Sequence, residues 1–364
     1  MRQARRVVFY LLQFWLHIGY RLYFRKVILI DHKKAPEQRP IILAPNHQNS
    51  FLDAMMTAIF VPQRFTFLAR ADVFRHRWFR KVMYLVSCLP AYRPSDGFSS
   101  VRNNEYTFQQ CQRLLNDDES ILIFPEGNQF FGYKLRPLKK GLARIALEYT
   151  QRTGEDLPVV PVGLHFEEYR GFDKRLVVVF GDSLSTLNFV NTYQDNPSLG
   201  LRRFTEELHA EMNQLCISND DPEQKELINR YIFSEDNYRD GHDWRARVAA
   251  IHNGSYLDDK LALEPPKKQP LHWLGTPVAL AAWLLFILPY RLHKWLTKLI
   301  SPDEYFAPSV DFVLFLTIFP WYILILSAVV GIWLNSWFIG LLFFVAAPLS
   351  GKYLLAWRRG ISGR

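Results

Sequence analysis

Two apolar runs near the C-terminus, 310–330 and 332–349, limit the fold more than any other feature. They are rich in Leu, Ile, Val, Phe and Trp and hold no Lys, Arg or Glu. About 20 such residues, coiled as a helix, cross the hydrocarbon layer of a bilayer. A very short turn near Asn335 joins them, so they read as a hairpin. A third apolar stretch, 271–290, precedes them and contains Pro277 and Pro289. Lys267 and Lys268 stand before it, and Arg291, Lys294 and Lys298 follow it. Lys352, Arg358, Arg359 and Arg364 lie close to the chain's end. If basic flanks stay on the cytoplasmic side, 310–349 goes out and back and 271–290 cannot fully cross. Its prolines suit a broken, re-entrant piece.

The other end begins Met1-Arg2-Gln3-Ala4-Arg5-Arg6, turns apolar from Val7 to Tyr20, and continues with Arg21, Arg25 and Lys26. No small-residue cleavage site follows, as a signal peptide would require. The stretch is short for a span and is interrupted by Gln13 and His17. It reads as a helix lying in the membrane interface, with a single span as the second choice. The 44 Lys and Arg against 35 Asp and Glu fit an anionic membrane better than nucleic acid. The basic residues flank apolar segments, and no nucleic-acid recognition module is visible. Cys88, Cys111 and Cys216 are too few and too scattered for a disulfide framework or a metal site.

Between these ends, from Val27 to about Gly181, the texture is α/β. Near-continuous apolar runs at 41–44, 65–69, 121–124, 159–163 and 176–180 suit strands buried on both faces. Helical patterns separate them, one with Leu142, Ile145, Ala146 and Tyr149 on a single face, another over 101–115. This alternation predicts a mainly parallel sheet with crossover helices. The chain turns polar and helical from about 198 to 263. The expected layout is an interfacial helix (1–26), an α/β domain (27–190), a helical extension (191–263), a linker (264–270) and a membrane region (271–364).

Chemistry gathers at strand ends. The run Ile41-Ile42-Leu43-Ala44-Pro45 ends in Asn46-His47-Gln48-Asn49-Ser50-Phe51-Leu52-Asp53. On one regular helix, His47 and Asp53 would lie about 120° apart and about 9 Å along the axis. They meet only if His47 sits in the turn and Asp53 on the first helical turns, with Asn49 or Ser50 as N-cap. A capped helix with an incidental histidine is the plain alternative. A second run, Ser120-Ile121-Leu122-Ile123-Phe124, leads into Pro125-Glu126-Gly127, an ordinary turn by composition but with an acid at a strand's end. Tyr92-Arg93-Pro94 offers a guanidinium suited to phosphate. Lys134, Arg136, Lys139 and Lys140 precede a helix opening at Gly141, either as a solvated basic face or as a phosphate or membrane-surface site. Val160-Pro161-Val162-Gly163 is most simply a buried strand with a bend.

In this order, Asn46-His47 with Asp53, Tyr92-Arg93, Phe124-Pro125-Glu126-Gly127 and Val160-Pro161-Val162-Gly163 resemble the glycerolipid acyltransferase family, over about residues 35–185. Two features depart from its usual pattern. Five residues, not four, separate His47 from Asp53, and Asn128-Gln129-Phe130 replaces the common Thr-Arg-Ser, so one substrate-binding arginine is absent.

The resemblance implies transfer of an acyl group from a thioester, acyl-CoA or acyl carrier protein, to a hydroxyl of glycerol-3-phosphate or a lysophospholipid such as 1-acylglycerol-3-phosphate. His47 would be the general base and Asp53 its orienting partner. Glu126 and Gly127 would hold the acceptor's hydroxyl groups, while Arg93 and Lys140 would take the phosphate. No metal or cofactor is implied. The partners are then the thioester, the acceptor and membrane lipid, with the site on the cytoplasmic face. A different lysolipid acceptor, or a non-catalytic lipid-binding scaffold, is the rival reading.

Overall fold

The computed structural model describes residues 2–37, 40–75, 77–92, 99–219, 221–234, 238, 240–259, 275–301 and 304–362. Helix α1 (Arg2–Tyr23) leads into strand β1 (Lys26–Ile30). Then come β2 (Ile42–Pro45), α2 (Phe51–Ala58), β3 (Phe65–Arg70), α3 (Arg77–Leu85), β4 (Cys88–Ala91) and α4 (Ser99–Asn116). The α/β part closes with β5 (Ser120–Leu122), α5 (Gly141–Thr153), β6 (Val159–Phe166) and β7 (Arg175–Phe180). Helices α6 (Leu187–Asp195), α7 (Pro197–Leu215), α8 (Lys225–Ile232) and α9 (Gly241–Asn253) follow. Three long helices come last: α10 (Thr276–Ile300), α11 (Ala307–Trp333) and α12 (Trp337–Ser362).

The strands form one sheet in the order β1-β7-β6-β2-β5-β3-β4. Every pairing is parallel except β6 with β7. The mainly parallel sheet matches the expectation, and the apolar runs explain it, because helices cover both faces. Side chains alternate along β2: Ile42 and Ala44 face a core shared with α4, α5 and α7–α9, while Leu43 faces one shared with α2. Two strands, β1 and β4, were not expected from the sequence. Pro90 sits inside β4, which is tolerable because β4 is an edge strand.

The expected boundary at 190 falls inside α6, and Phe204, Leu208, Ile228 and Trp244 of the following helices pack into the sheet's own core. Residues 191–259 therefore continue the α/β domain. The expected linker, 264–270, lies outside the described residues.

Three helices, α10, α11 and α12, are long and apolar enough to cross a membrane. The segment 271–290 was expected to be broken. Its described residues instead belong to one continuous helix that runs through Pro289 to Ile300. These helices are not a detached anchor. Phe312 and Leu316 of α11 complete the second core beside Tyr23, Phe24, Leu52 and Met55. Trp15 of α1 donates its indole N–H to the Leu316 carbonyl at 3.1 Å.

Candidate active site

Strands β2 and β5 are parallel neighbours, so the residues after their carboxyl ends share one crevice, as is usual for open α/β sheets. His47 follows β2 and Glu126 follows β5. The intervening Asn46 is stitched to β6: its side-chain amide donates to the Leu164 carbonyl (3.1 Å), and its oxygen accepts from the Leu164 N–H (2.7 Å).

The turn from His47 to Asp53 closes on itself. His47 Nδ1 lies 2.9 Å from Asp53 Oδ2. The same oxygen accepts the N–H groups of Gln48 (2.8 Å) and Asn49 (2.6 Å). The carboxylate thus reaches back from the first helical turn past the N-cap, to the N–H groups of the two residues before it. Within this turn Ser50, the N-cap of α2, has φ +52° and ψ −130°. Left-handed backbone at a non-glycine residue costs on the order of 1–3 kcal/mol and persists only when its surroundings hold it. Here Ser50 Oγ donates to the Tyr305 carbonyl (2.8 Å) and meets the side-chain amide of Gln129.

Asp53 is fully buried. Burial pushes its carboxyl above the usual range, opposed by the His47 hydrogen bond and the two N–H donors. The His47 ring stacks on Phe124, with centroids 3.8 Å apart and planes 13° apart. With Nδ1 held by Asp53, the ring has Nε2 to offer a reactant.

Glu126 grips the same histidine from the other side. Its Oε1 accepts the backbone N–H of His47 at 2.7 Å. Its Oε2 accepts the N–H (3.2 Å) and the Nε (3.3 Å) of Arg136. Arg136 also donates to the Asn128 carbonyl. Glu126 is only 3% exposed, and burial pushes its carboxyl up, opposed by the His47 N–H and by Arg136. Gly127 has φ +73°, which the Pro-Glu-Gly turn requires and a side chain would resist. Lys140 is exposed at the N-cap of α5. Arg93 lies outside the described residues.

The fold thus brings His47, Asp53, Glu126 and Gly127 together. Residues 26–165 match the family model described as Acyltransferase. These residues form an acyltransferase-family domain. A "Probable 1-acyl-sn-glycerol-3-phosphate acyltransferase" of Mycoplasma pneumoniae is 20% identical over 208 residues, 52% of this chain and 73% of that protein. A chloroplastic 1-acyl-sn-glycerol-3-phosphate acyltransferase of Brassica napus is 26% identical over 163 residues, 45% of this chain and 44% of that one. The crystal structure of PlsC from Thermotoga maritima aligns with TM-score 0.44 and 18% identity over 58% of this chain and 79% of that one, a likeness too loose to carry weight.

Three contacts in this candidate site were not legible in the sequence. Arg136 was one of several basic candidates, and nothing singled out its bond to Glu126. The Ser50–Gln129 contact joins residues of two different turns. The Tyr305 carbonyl comes from beyond the matched domain.

Proposed function

We propose that this protein transfers an acyl group from a thioester, acyl-CoA or acyl carrier protein, to the free hydroxyl of 1-acylglycerol-3-phosphate at a membrane surface. The observation that carries the reading is the His47–Asp53 pair at the end of β2, closed to 2.9 Å across five intervening residues. A hydroxyl is a poor nucleophile near neutrality, and a positioned imidazole supplies the base it needs. His47 Nε2 accepts the acceptor's proton as the oxygen attacks the thioester carbonyl. The C–O bond forms, the C–S bond breaks, and the proton passes to the departing sulfur. Asp53 holds the Nδ1–H and stabilises the imidazolium, as the acid of a catalytic triad does, without a serine and without an acyl-enzyme. Arg93 and Lys140 take the phosphate, and Arg136 brings a further guanidinium to the crevice. Gly127 forms the turn beneath the acceptor. No cofactor or metal enters the scheme.

The relatives' printed names support the acceptor, and the three apolar helices support the membrane setting. Both ends of the α11–α12 hairpin contact the catalytic domain. Ser309 on α11 bonds Asn49, while Lys352 Nζ of α12 donates to the Phe24 carbonyl (2.6 Å) and Arg359 pairs with Asp173. Such a hairpin goes out and back, with the active site on the side where it starts. Helix α10 keeps to that side. His293 meets Asp311, Tyr322 bonds the Leu285 carbonyl, and Gly275 lies against Tyr353 and Trp357. Single cysteines near Lys298 and near residue 275, labelled from outside, would have opposite accessibility if α10 crossed. The same accessibility is expected.

The functional test supplies palmitoyl-CoA or palmitoyl carrier protein to the purified protein in liposomes, with glycerol-3-phosphate, 1-acylglycerol-3-phosphate and other lysolipids in parallel. Transfer to 1-acylglycerol-3-phosphate that vanishes in His47→Ala is expected. Thioester left intact by folded protein with every acceptor would favour the scaffold reading. Arg93→Ala should raise the apparent KM for the phosphorylated acceptor more than for the donor, and an equal rise in both would remove its assigned role.

A further inference from the structure

Ser309 occupies the first turn of α11, 257 residues from Leu52 in sequence. Its hydroxyl sits in the turn between His47 and Asp53. Ser309 Oγ accepts the Leu52 N–H at 3.0 Å and donates to the Asn49 carbonyl at 3.0 Å. Asn49 is the residue whose N–H bonds Asp53 Oδ2 at 2.6 Å. One side of Asn49 therefore feeds the catalytic carboxylate, and the other is held by a membrane helix. Its neighbour Ser50, in the strained left-handed conformation, is held by the carbonyl of Tyr305, just before that helix.

The first turn of α11 is itself fixed. Ser309 is 5% exposed. Two residues on, the buried Asp311 accepts the Thr297 hydroxyl of α10 at 2.6 Å, and its carbonyl meets His293 Nε2 at 2.8 Å. Phe312 packs with Tyr23 and Phe24, the ring of Tyr23 5.0 Å away. A hydroxyl on so firm a base does more than fill space. It limits where Asn49 can move, and with it where Oδ2 can sit.

We propose that Ser309 is a positioning residue for the proton transfer at His47, so that the catalytic dyad is completed by a helix lying outside the acyltransferase domain. This rests on the reading of His47 as the base.

The experiment compares full-length wild type, Ser309→Ala, Ser309→Thr and Ser327→Ala in phosphatidylethanolamine–phosphatidylglycerol liposomes. Ser327 is also buried on α11, but its hydroxyl bonds the Ile323 carbonyl of its own helix, far along from the turn. A dyad loosened by a fraction of an ångström should lower kcat about tenfold in Ser309→Ala, with KM for the acceptor nearly unchanged. The acid limb of the kcat profile should move to lower pH, because a displaced Asp53 stabilises the imidazolium less. The other charged groups near the ring, Glu126 and Arg136, are untouched in this variant. Ser309→Thr, which keeps the hydroxyl, should recover most of the rate, and Ser327→Ala should match wild type.

An unchanged rate and limb in Ser309→Ala would overturn the proposal. So would a loss shared by Ser327→Ala, or a loss with the limb in place that Thr does not reverse. The His47 imidazole, titrated by nitrogen-15 NMR in the same samples, gives a reading free of turnover. If the wild type transfers no acyl group, the functional reading fails, and the NMR titration still decides whether Ser309 positions the ring.

Discussion

Two carboxylates hold one histidine, and they hold different parts of it. Asp53 takes the ring through Nδ1, and Glu126 takes the main chain through the His47 N–H. Both are buried, and burial raises both. They differ in what else they bind. Asp53 Oδ2 gathers two backbone N–H groups of its own turn, while Glu126 Oε2 gathers Arg136 from the loop before α5. The first arrangement tunes and aims an imidazole. The second ties the ends of β2 and β5 together under it. Similar residues at neighbouring strand ends are therefore placed differently: one bonds the imidazole, the other the backbone that carries it.

The largest break in this comparison is expected on the ring side. His47→Ala removes the base and should lower kcat by about 10²–10⁴. Asp53→Asn leaves a similar shape but cannot stabilise an imidazolium, and should fall within the same range. Both are measured as transfer to 1-acylglycerol-3-phosphate, with circular dichroism to confirm folding. Near-wild-type turnover in both would end the base assignment.

Glu126→Gln sharpens the other half. A glutamine oxygen can still accept the His47 N–H, but the charge facing Arg136 is gone. A buried hydrogen bond to a charged group is worth about 1.5–3 kcal/mol, so a loss of about ten- to a hundredfold is expected. Where the loss appears decides the role. A brace should lower kcat and leave the acceptor's KM nearly alone. A group that holds the acceptor's hydroxyls, as the family resemblance implies, should raise that KM instead. The geometry favours the brace, because both oxygens already bond protein and little of the side chain faces solvent.

The strand ends were legible in the sequence because their cause is local. An apolar run that meets a proline followed by polar residues reads as a strand's end: β2 stops at Pro45, and β5 stops at Leu122, just before Pro125. The neighbour relation of β2 and β5 was not legible, because alternation of strands and helices predicts a parallel sheet but not its strand order. What stayed hidden depends on distant pairing. Nothing near Ser309 marks it as a partner of Asn49, since a serine at the start of an apolar helix reads as a cap. Nothing near Glu126 reveals that Arg136 will fill its second oxygen. The strands β1 and β4 lie at the sheet's two edges, where a flanking basic stretch and an internal proline obscured them. The continuity of α10 through Pro289 is a tertiary outcome as well, because its neighbours α11 and α12 support the helix on either side of the proline.

The smallest expected effect concerns stability, and its sign separates the two ways of viewing Asp53. Its carboxyl is raised in the folded protein, so the folded state holds that proton more tightly than the unfolded chain does. The stabilisation is present below the ordinary carboxylate value and is lost as pH rises through the raised one. Above that point the buried charge works against folding. Asparagine cannot take up that charge, so Asp53→Asn should gain in Tm relative to wild type as pH rises above the ordinary carboxylate value, while losing activity throughout. Differential scanning fluorimetry in detergent at several pH values reads this difference directly. A gap that does not change with pH would mean that the three donors on Oδ2 fully offset burial. Asp53 would then resemble a solvated cap, and the contrast with Glu126 would narrow to which part of His47 each one holds.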